Sequence, residues 1–292
     1  MRGRKASIRI IKVLAVVAAL VAAFCAAFLL TAPQFVIVSD AAWSLVLPKA
    51  EVSRMRLSLA LRWHRLVVVQ ADASSLADGQ ALDEFIDDVC NKPKVDAVLF
   101  GPVASSKIVE YYLDAGALLA DKAVYGIYGT QTGLFDATLV PAVEQGWIQA
   151  AEAVRDEVVA TSRNVAIVSD SKGSVYNEAI VSILPQGMTT EYIDEDGARL
   201  FASNTLEDMN RLGIVIGMCP RLDGFYTVFD RDDTISWIVD YRYSTIVPSR
   251  QLHGVVLPDL SGFAKTAPLG KQDAKAFGTD GLAPLGFKYD GR

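Results

Sequence analysis

Leu66–Phe100 reads LVVVQADASSLADGQALDEFIDDVCNKPKVDAVLF. It opens and closes on short apolar runs of buried-strand type, Leu66–Gln70 and Val95–Phe100. Between them Leu82, Phe85, Ile86, Val89 and Cys90 recur at three- and four-residue spacing, which places one apolar face on a helix. Asn91 and Pro93 end that helix. Strand, helix and strand in this order form a crossover unit, and parallel strands require such crossovers.

The rhythm extends in both directions. Upstream, Phe35–Ser39 (FVIVS) is a strand, followed by Val52, Met55, Leu59 and Trp63 at helical spacing within 49–63. Downstream, 107–116 is a helix with Ile108, Val109, Tyr112 and Leu113 inward, and Ala123–Tyr128 is a fourth strand. Gly129–Asp136 (GTQTGLFD) is polar and Gly-rich, and reads as the first passage between lobes. A long helix from Pro141 to about Ala160 follows, along which Val140, Val143, Trp147, Ala151, Val154 and Val158 recur every three or four residues. Further strands are expected at Val165–Ser169, Thr189–Ile193, Ile214–Met218 and Ile235–Val239, with helices at 175–184 and 205–212. The expected fold class is therefore α/β, with two doubly wound parallel-sheet lobes. The first covers 35–130 and is completed by about 250–260, and the second covers 137–240. The halves share an architecture without an evident residue-level repeat. Residues 261–292, rich in Gly, Pro and Lys, read as an extended or poorly ordered tail.

Residues 1–33 form a separate segment. Arg2, Arg4, Lys5, Arg9 and Lys12 precede an uncharged run, Val13–Ala32, long enough to cross a hydrocarbon layer of about 30 Å. The basic flank stays on the cytoplasmic side, so the rest of the chain belongs outside the cytoplasm, at an inner membrane. An uncleaved anchor and a cleaved signal peptide both fit. The run exceeds a usual signal core, and Pro33 directly follows Ala32, the best small-residue cleavage position. Lipidation of Cys25 is disfavoured by Phe24 before it and the apolar AAFLL after it.

The net charge of −6 excludes a nucleic-acid partner, because phosphate binding needs a clustered basic face. With only His64 and His253, and no CxxC, neither a metal nor a cofactor is expected. Cys90 and Cys219 read as two separate buried thiols, with a bridge as the alternative. No GxSxG elbow accompanies Ser171, GTQTG is too short for a phosphate loop, and Asp232–Asp233 lies in a charged turn. An enzyme is not expected, with an extracytoplasmic hydrolase as the minor alternative.

Phe35–Trp43 (FVIVSDAAW), Val95–Val103 (VDAVLFGPV), Val165–Ser174 (VAIVSDSKGS) and Trp237–Leu260 (WIVDYRYSTIVPSRQLHGVVLPDL) together resemble the type I periplasmic-binding-protein fold. Sugar- and nucleoside-binding receptors share it, and the likeness extends to the basic membrane protein family of nucleoside-binding lipoproteins. In the last segment, a strand ending in Asp240, a loop and a short apolar strand look like that family's return to the first lobe. The loop after the first strand is Ala41-Ala42-Trp43 where the family has a Gly-rich loop, and the family's lipidation motif is missing. The resemblance implies a receptor for a small polar ligand, a sugar or nucleoside, serving a membrane transporter or a sensor. A ligand-free interaction module of the same fold is the alternative.

In open parallel sheets ligands bind beyond the carboxyl ends of the strands. Those ends offer Asp40, Trp43, Asp72, Tyr128 and Gln131 from the first lobe, and Asp170, Arg221 and Asp240 from the second. Carboxylates and amides would accept hydroxyl hydrogens, and Trp43 with Tyr128 would cover an apolar ring face. Each Asp has a competing role as the cap of a helix or turn, and Arg221 as a solvated or ion-paired charge.

Overall fold

The computed structural model describes residues 2–40, 49–112, 119, 121–130, 132–169, 175–193, 212–218, 235–241, 244 and 247–291. Helix α1 (Arg2–Thr31) precedes the α/β body, and no residue of its Leu14–Thr31 stretch is fully buried by the rest of the chain. With a mean hydropathy of 2.7, that stretch is long and apolar enough to cross a membrane.

The first lobe contains β1 (Gln34–Ser39), α2 (Lys49–Ala60), β2 (Arg65–Gln70), α3 (Gly79–Val89), β3 (Val95–Phe100), α4 (Pro102–Tyr111), β4 (Ala123–Ile127) and β5 (Ala137–Ala142). The second contains α5 (Glu144–Thr161), β6 (Asn164–Ser169), α6 (Val175–Ile183), β7 (Thr189–Ile193), β8 (Leu212–Gly217), β9 (Ser236–Asp240) and β10 (Leu252–Pro258). Helices α7 (Leu260–Thr266) and α8 (Lys271–Lys275) and strand β11 (Leu282–Gly291) complete the chain.

Among the described residues the strand order is β2-β1-β3-β4-β5-β11-β10-β9-β8-β6-β7. Both lobes therefore follow one winding rule: the second strand lies outside the first, and the third, fourth and fifth step the other way. All pairs within each five-stranded set are parallel. Even the register agrees. In β1 the bulge falls between Gln34 and Phe35 against β3, and in β6 it falls between Asn164 and Val165 against β8. The repeat does reach the residue level here, in VIVSD at 36–40 and AIVSD at 166–170.

Strand alternation explains why both faces are covered. Phe35, Ile37, Leu99 and Tyr125 join the apolar cluster beneath α2 and α7, while Val36, Val38, Val98 and Phe100 join the one beneath α3 and α4. In the second lobe Ile167, Ile216 and Ile238 share a cluster with Trp147, Val154 and Val158 of α5.

Several expected boundaries move. Residues 137–142, expected to open the second lobe, form β5 of the first, so the chain first changes lobes at Val143. The apolar strand at 252–258 is no return to the first lobe, because β10 pairs with β9. The return follows Pro258, where α7 packs on α2. Residues 261–291, expected as a tail, fold as α7, α8 and β11. Strand β11 changes partner midway. Leu282–Gly286 runs parallel to β5, and Phe287–Gly291 runs antiparallel to β10. The two sheets are thus continuous in hydrogen bonding, but only through this strand.

An ionic cluster ties the crossings together. Lys288 Nζ lies 2.8 Å from Glu51 Oε2 and 2.8 Å from Asp259 Oδ1, and Glu51 Oε1 accepts from the Ser261 N–H at 2.8 Å. Glu51 is buried, so its charge needs these partners. At Asp259 burial would raise the carboxyl pKa, but bonds from Lys288, the Gly262 N–H and Ser261 outweigh it and the pKa falls below the ordinary value.

Candidate functional site at the strand tips

A cavity of about 420 Å³ opens where the carboxyl ends of both sheets meet β11. Ile127, Tyr128 and Gly129 enter it from the end of β4, and Pro141 and Val143 from β5. The second lobe contributes Tyr241, just past β9, and Pro258 at the end of β10. Leu285 and Phe287 of β11 form the wall between them. Pro102 and Ser106 of α4 close one side, with the Ser106 hydroxyl donating to the Pro102 carbonyl at 3.0 Å. Tyr241 and Phe287 pack with ring centroids 6.4 Å apart. Such a surface covers the apolar face of a ring. None of these lining residues is charged.

The N-terminus of α4, beside this cavity, has its donors occupied from within. Asp40 is wholly buried, and its Oδ2 accepts from the Val103 N–H at 2.7 Å and the Ala104 N–H at 3.0 Å. A carboxylate therefore occupies the place where a helix N-terminus would otherwise attract an anionic ligand. Gly101 makes room for it, since a Cβ there would stand 2.5 Å from Asp40 Oδ2. The next donor is also used, with the Ser105 N–H reaching the Gly101 carbonyl at 2.8 Å.

Of the residues expected at the site, Tyr128 lines the cavity. Asp40 is turned to α4. Asp72 lies at the end of the outermost strand β2, where its Oδ1 accepts from the Ser75 N–H and from the Ser74 and Ser75 hydroxyls, each at 2.8 Å. Those bonds, led by the Ser75 N–H, lower its pKa to about 2. Asp240 is buried at the tip of β9, next to Tyr241, and is not among the lining residues. Trp43, Gln131, Asp170 and Arg221 fall outside the described residues. Sequence reasoning missed Tyr241, Leu285 and Phe287. Tyr241 follows a recognised strand by one residue, but the other two lay in the presumed tail.

Cys90 is a free, buried thiol at the end of α3, and burial raises its pKa to about 12. Cys219 lies outside the described residues.

Two doubly wound parallel lobes, joined by three chain crossings and sharing a cavity at their strand tips, make up a type I periplasmic-binding-protein-like architecture. No family model and no curated protein matches the chain. Among solved structures it is similar to an ABC transporter solute-binding protein from Mycobacterium smegmatis with bound glycerol, at 11% identity and a TM-score of 0.45, covering 89% of this chain and 94% of that one. It is similar also to GanP, a glucose-galactose binding protein from Geobacillus stearothermophilus, at 13% identity and 0.45, covering 89% and 97%. A third is a solute-binding protein from Burkholderia graminis in complex with D-arabinose, at 14% and 0.41, covering 90% and 96%. The fold is read from the strand order, which stands without them.

Proposed function

We propose that this chain is a membrane-anchored, extracytoplasmic receptor that closes two lobes on a small uncharged solute carrying a ring, a sugar or a nucleoside. The observation that carries the reading is the cavity itself, built from strand tips of both lobes and faced by Tyr128, Tyr241 and Phe287. The occupied α4 N-terminus, with no charged side chain among the described lining residues, favours a neutral ligand over a phosphorylated one. Lobes joined at three strand-end crossings can close by hinge rotation. That motion suits delivery to a transporter or signalling to a sensor. Trp43, Gln131, Asp170 and Arg221 follow strand ends within four residues in sequence, and on that basis alone we assign Gln131, Asp170 and Arg221 to the polar side of the site and Trp43 to the ring face.

Retention of α1 is supported by its contacts with the body. Trp63 packs edge-on against Phe24 and Phe28, with centroids 5.4 and 5.3 Å apart, and Lys94 Nζ donates to the Leu30 carbonyl at 2.9 Å. Cleavage after Ala32 would remove all of these.

The test is thermal melting of the detergent-solubilised full chain against panels of sugars and nucleosides. A ligand at 100 times its dissociation constant adds about 2.7 kcal/mol. The shift should disappear in Tyr241→Ala. No shift across both panels would refute the receptor reading.

A further inference from the structure

We propose that the first lobe does not hang free of the membrane on a tether but rests on the outer leaflet, with Trp63, Leu57 and Leu61 immersed in the lipid interface. This rests on the reading of α1 as a retained anchor. Three observations converge on it.

The first is depth. Trp63 touches Phe24 and Phe28, which precede the end of α1 by seven and three residues. At a rise of 1.5 Å per residue they lie about 10 and about 5 Å below the outer end of the helix. A span of Leu14–Thr31 is about 27 Å long, close to the thickness of the hydrocarbon layer. If α1 crosses the bilayer, a side chain that reaches Phe24 must itself enter the headgroup–acyl boundary. Tryptophan is the residue that favours this zone.

The second is the backbone at Trp63. Helix α2 ends with the His64 N–H bonded to the Leu59 carbonyl and the Trp63 N–H to the Ala60 carbonyl, a Schellman closure. Its left-handed position is normally glycine, yet Trp63 occupies it at φ 59°. A bulky residue is strained there. The indole is only partly covered, at 39% exposed, so ordinary core packing does not account for it.

The third is the adjoining surface. Leu57 near the end of α2 and Leu61 just past it, whose N–H bonds the Leu57 carbonyl, are 63% and 81% exposed. They lie within six residues of Trp63, which touches the anchor. Lys94, bonded to the Leu30 carbonyl, stands at the same end of α1, suitably placed for the headgroups. The partner this chemistry fits is a phospholipid surface. The amino ends of β1, β2 and β3 then face the bilayer, and the strand tips that form the cavity face away from it.

The full chain is reconstituted in phosphatidylcholine vesicles, with and without bromine on the acyl chains near the headgroup, and its tryptophan emission is compared with that of Trp63→Phe. The native chain should show bromine quenching, and the variant should lose at least two thirds of it. In Leu57→Asp/Leu61→Asp, changed at exposed positions only, quenching of the retained Trp63 should fall at least twofold. Flotation of the same vesicles separates the two readings. A chain that floats with the lipid but shows equal quenching in native and variant forms overturns docking while leaving the anchor. A chain that does not float overturns both.

Discussion

Replacing Asp40 by alanine removes the acceptor that holds the Val103 and Ala104 N–H groups at the start of α4. Both N–H groups lose a partner, that of Ala104 at a buried position and that of Val103 at a part-buried one, and an orphaned buried donor costs about 1–3 kcal/mol. Some relaxation is expected at a helix end, so the combined loss should be about 2–4 kcal/mol, consistent with the upper range for lost caps. Asp40→Asn keeps a carbonyl oxygen in place and gives up only the favourable charge at the helix start, about 1 kcal/mol. For a body of this size, 1 kcal/mol corresponds to about 2–4 °C in Tm. Circular dichroism melts in detergent should then show Asp40→Ala lower by about 5–15 °C and Asp40→Asn by about 2–4 °C. Ligand-induced stabilisation should survive in Asp40→Asn. The reasoning fails if alanine is tolerated within 1 °C, or if asparagine leaves Tm intact while abolishing the ligand shift, since Asp40 would then be a ligand contact.

Lys288→Met strands the buried Glu51 carboxylate with only the Ser261 N–H and Arg54, and should destabilise by about 2–3 kcal/mol; an unchanged guanidinium midpoint would contradict this. Cys90, with its pKa near 12, should resist iodoacetamide at pH 8 until denaturant is added, as read by peptide mapping; labelling of the native chain would contradict its burial. Asp72 should titrate near pH 2 by NMR rather than near 4. A carboxyl lowered on folding stabilises above its unfolded pKa, so its contribution is present above about pH 4 and lost as pH falls through about 2.

The strands β1, β3, β4, β6, β8 and β9 were legible because each is a short apolar run of the kind buried on both faces, and the edge strand β2 because its run LVVVQ reads the same way although only one of its faces is covered. Strand β5 was not, because Pro141 reads equally well as the first residue of a helix, and only tertiary pairing with Leu285 decides for a strand. In β11, Ala283, Leu285 and Phe287 are buried in alternation, but Pro284, Gly286 and Gly291 gave the segment the composition of a tail. The site divided along the same line. Tyr128 belongs to a legible strand end, whereas Leu285 and Phe287 depend on where the last strand is inserted. The role of Asp40 needed a contact across 63 positions of sequence, which no local pattern contains.

Because β11 supplies five residues to each sheet, neither half has its final neighbour until residues 282–291 have been synthesised. Until then β5 and β10 both present open backbone edges with which another nascent chain could pair. Deleting Phe287–Gly291 would leave β10 without its partner, and deletion from Leu282 onward would leave both halves unfinished at once.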